Sequence, residues 1–310
     1  MNKKEEIYHR LIEITEDSDR VARNVPMSEH TTFRTGGPAD IMAEPAGTAE
    51  LAGMIRMLRN EDVPFFILGN GSNVLVKDGG YRGVIIHIGS RMADITVTGT
   101  TVLAQSGALL SAVSREACEH SLEGMEFASG IPGSVGGAVY MNAGAYGGEM
   151  KQIIVSVTAV TEKGNVIRYS AGELDLGYRH SIFETNGSVI TEVLLSLRYG
   201  EKEKIINRMK DLAERRRLKQ PLNLPSAGST FKRPPGHFAG QLIDEAHMRG
   251  ASLGGAQVSP KHAGFIVNTG GATSQDILDL MELVQMRVKE ISGVDLEREV
   301  RVIGEEREGY

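Results

Sequence analysis

Two glycine-rich stretches hold the residues whose types and spacing could do chemistry, and that chemistry is the holding of a phosphate. In "LGNGSNVLVKDGGYRG" (68–83), Gly69-Asn70-Gly71 follows the apolar run Phe65-Phe66-Ile67-Leu68. A strand feeding a Gly-x-Gly turn is how a dinucleotide fingerprint opens, but this one fails on three counts. Val74 stands where the third glycine is required, "VLVKDGG" has strand rather than helix composition, and Gly89 and Ser90 lie where an acidic residue is expected about 20 residues on. What remains is strand, Gly-Asn-Gly-Ser-Asn turn, strand. Glycines let the backbone approach a ligand closely, and successive N–H groups can form an anion nest. Asn70, Ser72 and Asn73 add neutral hydrogen-bonding groups. Taken alone, the loop reads equally well as an ordinary tight turn.

A second tract, "ASGIPGSVGGAVYMNAGAYGGE" (128–149), is too apolar for a flexible linker and too irregular for a helix. Buried N–H groups without partners are costly, so such a tract makes sense with a large ligand lying against it. Two such loops together point to a long diphosphate cofactor.

Composition bounds the rest. The 310 residues suffice for two or three domains, and 41% hydrophobic with 24% charged residues describes a soluble globular chain. A net charge of −6 argues against a general nucleic-acid binder, and an anionic ligand then needs a local basic cluster. One cysteine, Cys118, excludes an intrachain disulfide framework and reads as a packed helix residue. The eight histidines show no zinc-like spacing, so no metal is expected. The N-terminus has no apolar signal region, and residues 127–148, though free of formal charge, contain seven glycines, Pro132 and Asn142. That suits a buried loop better than a membrane span, so a cytoplasmic location without membrane or nucleic-acid partners is expected. "DEAH" (244–247) spells a helicase box without its phosphate loop, and no Gly-x-Ser-x-Gly elbow surrounds any serine of "PSAGST".

The elements that must position these loops follow from periodicity. A helix is expected over the first ~20 residues, and another after a Thr48 cap, from Ala49 to Asn60, with Leu51, Met54, Ile55 and Leu58 on one face. Buried strands at 63–68 and 84–88 give an α/β start. Hairpins around "TGT" and Lys163-Gly164-Asn165, with a strand at 189–200, make the middle mainly antiparallel β. A charged helix runs from Lys202 to Lys219. A last section holds a helix capped at Thr273 or Ser274 and a closing strand at 299–304.

The two loops together resemble the FAD-binding domain of the vanillyl-alcohol-oxidase type flavoproteins. Within these, "HTTFRTGGPA", "LGNGSNVLV", "GIPGSVGGAVYMNAGAYGGE", "GYRHSIF", "AGSTFKRP" and "LEREVRVIG" resemble, in order, the blocks of the UDP-N-acetylenolpyruvoylglucosamine reductase family. The resemblance implies an α+β fold with a two-part PCMH-type FAD-binding domain: a small α/β part over 1–88 and a mainly antiparallel β part over 89–203. A third α+β substrate-binding domain covers 204–310 and carries the C-terminal strand. It implies non-covalent FAD with NADPH as co-substrate, and reduction of UDP-N-acetylglucosamine enolpyruvate to UDP-N-acetylmuramate for the peptidoglycan of the cell wall. The partners implied are small molecules, with no obligatory protein partner. No insertion follows Phe183, so the chain is similar to the shorter subtype, which lacks the tyrosine loop over the substrate.

By the same resemblance Arg179 polarises the substrate carboxylate, Glu299 assists from the same side, and Ser229 donates the proton. By residue type alone, Arg179 is a surface charge, Glu299 a solvated neighbour of Arg298 and Arg301, and Ser229 a turn residue. Glu297 is not chosen, because the motif places the role two residues later. FAD is assigned to Gly69, Asn70, Gly71, Ser72 and Asn73 with Gly130, Ser134, Gly136, Gly137 and Gly144, and Arg34 stands near the cofactor. Tyr178, Arg217, Lys219 and Lys232 are the substrate-binding candidates, and the contact of Arg233 stays open. Two other readings remain: another FAD-linked oxidase or dehydrogenase of the superfamily, which a covalent flavin would favour, and a non-catalytic nucleotide binder, which catalytic bleaching by NADPH would exclude.

Overall fold

The computed structural model describes residues 2–307. The chain forms two units, one of residues 1–23, 41–70 and 83–216 and the other of 24–40, 71–82 and 217–310. It therefore passes between them five times, near residues 23, 40, 70, 82 and 216.

The first unit has two hydrophobic cores. Helix α1 (Lys3–Thr15) starts where the Asn2 side chain accepts the Glu5 N–H, and it buries Ile7, Leu11 and Thr15, four residues apart. Helix α2 (Thr48–Asn60) buries Leu51, Met54, Ile55 and Leu58 on the expected stripe, but its cap is Gly47 and Thr48 is already helical. Gly47 has extended backbone and no side-chain bond, so the helix begins one residue earlier than the sequence suggests, at Thr48 itself. Strand Phe65–Leu68 runs parallel to Tyr81–His87, with Phe65 opposite Val84, in a four-stranded sheet with Val21–Pro26 and Pro38–Ala43. Val84 and Ile86 from this sheet meet α2 in the first core.

The second core lies under a five-stranded antiparallel sheet in the order Val166–Ser170, Ile154–Val160, Val189–Ser196, Thr101–Gln105, Ile95–Thr98. Its hairpins turn at Gly99 and Gly164, as the sequence suggests. Helix α3 (Leu110–Glu119) buries Cys118 with Val113 and Ala117. The glycine tract corrects one expectation, because it contains a short helix, α4 (Val135–Tyr140). The N–H groups of Val135 and Gly136 donate to the carbonyls of Ala108 and Ser106, both at 2.8 Å. That external anchoring fixes a helical turn that a Gly-Gly pair would not hold alone. Helix α5 (Lys202–Lys219) then buries Ile205, Leu212 and Arg216 on one stripe.

In the second unit, helix α6 (Ala239–Glu245) and helix α7 (Ser274–Ser292) pack with the strands Ser252–Leu253, Ala256–Val258 and Ile266–Asn268. Thr273 caps α7 in a capping box with Asp276, and Gly293 ends it at φ +72°. Strand Arg301–Ile303 lies parallel to Val74–Val76. No helix among the described residues is long and apolar enough to cross a membrane.

Asp78 reaches α7 from far away in sequence: its carboxylate accepts the Ser274 N–H at 2.9 Å and the Gln275 N–H at 3.1 Å. These are otherwise orphan donors at a positive helix end. Asp78→Ala is expected to destabilise the protein by about 1–2 kcal/mol, read as a lower urea midpoint with an unchanged slope.

Candidate active site

In the first unit the two glycine stretches meet. Asn70 Nδ2 donates to the Pro132 carbonyl at 2.6 Å, and a side chain at Gly69 would strike Ser134 Oγ. Ser134 caps α4 with extended backbone and no side-chain cap bond, Gly136 and Gly137 lie inside the helix, and Gly144 pairs with Glu149 in a two-residue hairpin. Among the described residues, no acceptor in the chain receives the N–H of Gly69, Asn70, Gly130, Gly133 or Ser134. Successive N–H groups without an acceptor in the chain are what an anionic diphosphate requires.

Tyr178 and Arg179 are the central pair of a tight turn closed by Gly177 N–H to His180 O at 3.1 Å and the reverse bond at 3.4 Å. Arg179 has φ +54°, and its guanidinium lies 5.4 Å from the Tyr178 ring centroid. His180 contacts Glu184 at 2.6 Å and Asp175 at 3.2 Å, and these two carboxylates, Glu184 first, raise its pKa.

The second unit brings Ser229, Glu299 and Asn73 together. Phe231 and Arg298 form a bridge, the Glu299 N–H donates to Thr230 O at 2.8 Å, and Lys232 N–H donates to Glu297 O at 2.8 Å. Ser229 and Glu299 therefore stand on neighbouring segments. Asn73 Nδ2 donates to the Glu299 carbonyl at 3.0 Å and Asn73 O accepts the Arg301 N–H at 3.0 Å, so the first loop ends on the glutamate. Thr230 is fully buried, its hydroxyl accepting the Ile266 N–H and its own N–H donating to Gly264 O. His262 Nδ1 accepts the Gly264 N–H at 3.1 Å, and burial lowers its pKa, keeping this support neutral. Gly71 is required twice over: its φ is +60°, and a side chain there would strike the His30 carbonyl. The Gly71 and Ser72 N–H groups also meet no acceptor among the described residues.

The candidate cations are less uniform. Lys232 Nζ pairs with Glu297 at 2.5 Å, Arg217 and Lys219 lie exposed on the last turn of α5, and Lys261 Nζ donates to the Arg217 carbonyl at 2.6 Å. Arg233 lies 4.8 Å from the Phe238 ring centroid, and Arg34 has φ +55°. Sequence reasoning passed over Arg216. It is 9% exposed and donates to the Gly130 carbonyl, holding the second glycine tract directly. Its signal was available, because it sits on the apolar stripe of α5 where a charge is out of place.

A family model described as "FAD binding domain" matches residues 39–170. The fold is shared with the grass pollen allergen Phl p 4, which has glucose dehydrogenase activity: TM-score 0.51 at 11% identity, over 63% of this chain and 44% of that one. Fold and cradle together define a flavoprotein of the FAD-binding oxidoreductase class. A second model, "UDP-N-acetylenolpyruvoylglucosamine reductase, C-terminal domain", matches residues 220–303. The reductase of that name from Clostridium perfringens is 50% identical over 304 residues, covering 98% of this chain and 99% of the relative. That from Clostridium botulinum is 51% identical over 289 residues, covering 93% and 94%. The crystal structure of the Thermus caldophilus reductase superposes with a TM-score of 0.80 at 37% identity, over 91% of this chain and 98% of that one. The chain belongs to the UDP-N-acetylenolpyruvoylglucosamine reductase family.

Two measurements check this geometry. Gly69→Ala, which drives a methyl group into Ser134 Oγ, is expected to weaken FAD binding at least about tenfold (about 1.4 kcal/mol) with the fold kept, read by titrating the apoprotein with FAD. His180 should titrate by NMR above about 6.5, the ordinary histidine value. Because the folded-state pKa is the higher one, its stabilising contribution is complete below that value and lost as pH rises through the folded pKa. The stability gap between wild type and His180→Gln should close over that window.

Proposed function

We propose that Arg179, Ser229 and Glu299 carry the reaction of an FAD-dependent UDP-N-acetylenolpyruvoylglucosamine reductase, which reduces UDP-N-acetylglucosamine enolpyruvate to UDP-N-acetylmuramate in peptidoglycan synthesis. The observation that supports these roles most is the bond from Glu299 N–H to Thr230 O, which sets Glu299 beside the residue that follows Ser229. When bound, FAD takes reducing equivalents from NADPH and passes them to the enolpyruvyl double bond. The chain's own residues manage charge and proton. Reduction builds negative charge on the carbon that bears the substrate carboxylate, and the Arg179 guanidinium can grip that carboxylate through two parallel bonds. Glu299, holding a proton, donates to the same developing charge. Ser229 delivers the proton to the carbon itself. A hydroxyl is a weak acid, so it serves only when tightly placed against a strongly basic acceptor. The buried Thr230 and the Phe231–Arg298 bridge, which tie down the backbone just after Ser229, support that reading.

The loops at 69–73 and 130–144 hold the cofactor diphosphate in this reading, with Arg216 bracing the second. Arg217, Lys219 and Lys232 lie on the segments assigned to the substrate diphosphate, and Tyr178 flanks the carboxylate grip. The substrates are small molecules, and the reaction is placed in the cytoplasm, without membrane or nucleic acid.

The protein mixed with NADPH without oxygen is expected to lose its visible flavin band and to regain it when UDP-N-acetylglucosamine enolpyruvate is added; bleaching without recovery would discard the reductase. Ser229→Ala should leave bleaching nearly intact and slow recovery by about 10²–10⁴-fold, whereas equal loss in both steps would remove the proton-donor role. Glu299→Gln keeps a donor and should be milder than Glu299→Ala, and the reverse order counts against a protonated glutamate.

A further inference from the structure

We infer that Asn142 is the positioning residue for Arg179: one buried amide at the end of the glycine tract fixes the turn from which the arginine reaches the substrate carboxylate. The inference rests on the reading of Arg179 given above.

The turn needs outside support. A non-glycine residue in the left-handed region costs about 1–2 kcal/mol and persists where its surroundings over-determine it. Arg179, at φ +54°, is one such residue, and Asp175, at φ +46°, is another. The Gly177–His180 bridge alone does not anchor the turn, since Tyr178 at its tip is 55% exposed.

Two side-chain bonds tie it to the end of α4 and to the chain just after it. Asn142 Nδ2 donates to the Gly177 carbonyl at 2.9 Å, at the base of the turn. Ser181 Oγ, from a fully buried residue just beyond the turn, donates to the Tyr140 carbonyl at 2.6 Å. Asn142 is 2% exposed and spends every side-chain group. Its second Nδ2 hydrogen goes to Glu149 Oε2 at 2.9 Å, its Oδ1 accepts the Lys151 N–H at 2.9 Å, and its own N–H returns to Val139 O at 3.1 Å. One side chain thus joins the last turn of α4, the Gly144–Glu149 hairpin and the arginine turn. No other residue type fits as well. Asn142 has φ +44°, a region asparagine enters more readily than most, and aspartate would offer oxygen to both the Gly177 carbonyl and the Glu149 carboxylate.

A buried amide that only satisfied a loop would give a different result from one that aims a side chain. Loss of a merely structural bond lowers FAD affinity and slows both half-reactions together. Loss of aim slows only the half-reaction that uses Arg179, since a displacement of about 1 Å can cost about 10²-fold. The test is the double variant Asn142→Asp with Glu149→Gln, in which the glutamine amide can donate to the new carboxylate while the Gly177 carbonyl stays without its donor. Arg179→Gln serves as the reference.

We expect FAD affinity and bleaching by NADPH close to wild type despite a lower melting temperature, with recovery by UDP-N-acetylglucosamine enolpyruvate slowed about 10- to 100-fold, as in Arg179→Gln. Unchanged recovery in the double variant beside slowed recovery in Arg179→Gln overturns the inference alone, as does equal slowing of both steps. Unchanged recovery in Arg179→Gln removes the reading of Arg179 and the inference with it. Should the double variant fail to fold, Ser181→Ala, which releases the second tie, must show the same division between half-reactions, and its absence overturns the inference.

Discussion

A backbone N–H needs an acceptor, from the chain, from water or from a ligand, and the glycine-rich stretches of this chain leave several such donors without one in the chain. In the first unit the N–H groups of Gly69 and Asn70, with those of Gly130, Gly133 and Ser134, have no acceptor among the described residues. Left so, each would cost on the order of 1–3 kcal/mol if buried. The rest of the structure holds them in that state without letting the loops relax into self-satisfying turns: Asn70 pins one loop to Pro132, Arg216 pins the other at Gly130, and α4 is strung from the carbonyls of Ser106 and Ala108. A rigid frame around vacant donors favours an anionic ligand that brings its own acceptors, because the ligand need not reorganise the site on arrival.

The three residues proposed to react obey the same constraint in another form. Arg179 stands in an unfavourable backbone region, and Ser229 and Glu299 sit where two segments touch through a few main-chain bonds. Buried neighbours, among them Asn142, Ser181 and Thr230, tie down the backbone that carries these proposed reacting groups.

Much of this was legible in the residues. The turns at Gly99 and Gly164, the stripe of α2 and the Thr273 cap follow from local rules that tertiary context left alone. The glycine loops announced a phosphate binder because apolar, glycine-rich sequence is difficult to satisfy internally. The short helix inside the second tract was not legible, since its anchors, Ser106 and Ala108, lie in another segment. Nor was the juxtaposition of Ser229 with Glu299, whose roles came from family resemblance and not from spacing. Asn142 gave no local signal at all: a polar residue in a glycine loop looks like a turn residue until the carbonyl it serves, at Gly177, is seen. Arg216 could have been found by asking why a charge interrupts an apolar stripe.

The parallel pairing of Arg301–Ile303 with Val74–Val76 has a consequence for the birth of the protein. As the ribosome delivers the chain, Val74–Val76 emerges early, and the strand that covers its edge is made only after residue 300. At about 5–20 residues per second, the interval is on the order of tens of seconds. During that time an apolar edge adjoining the first glycine loop stands open, a template for another chain's backbone. All of the first unit has been made by residue 216, but the second, which holds Val74–Val76, waits for the last part of the chain. The nascent chain is therefore a natural client for chaperones until its final strand arrives.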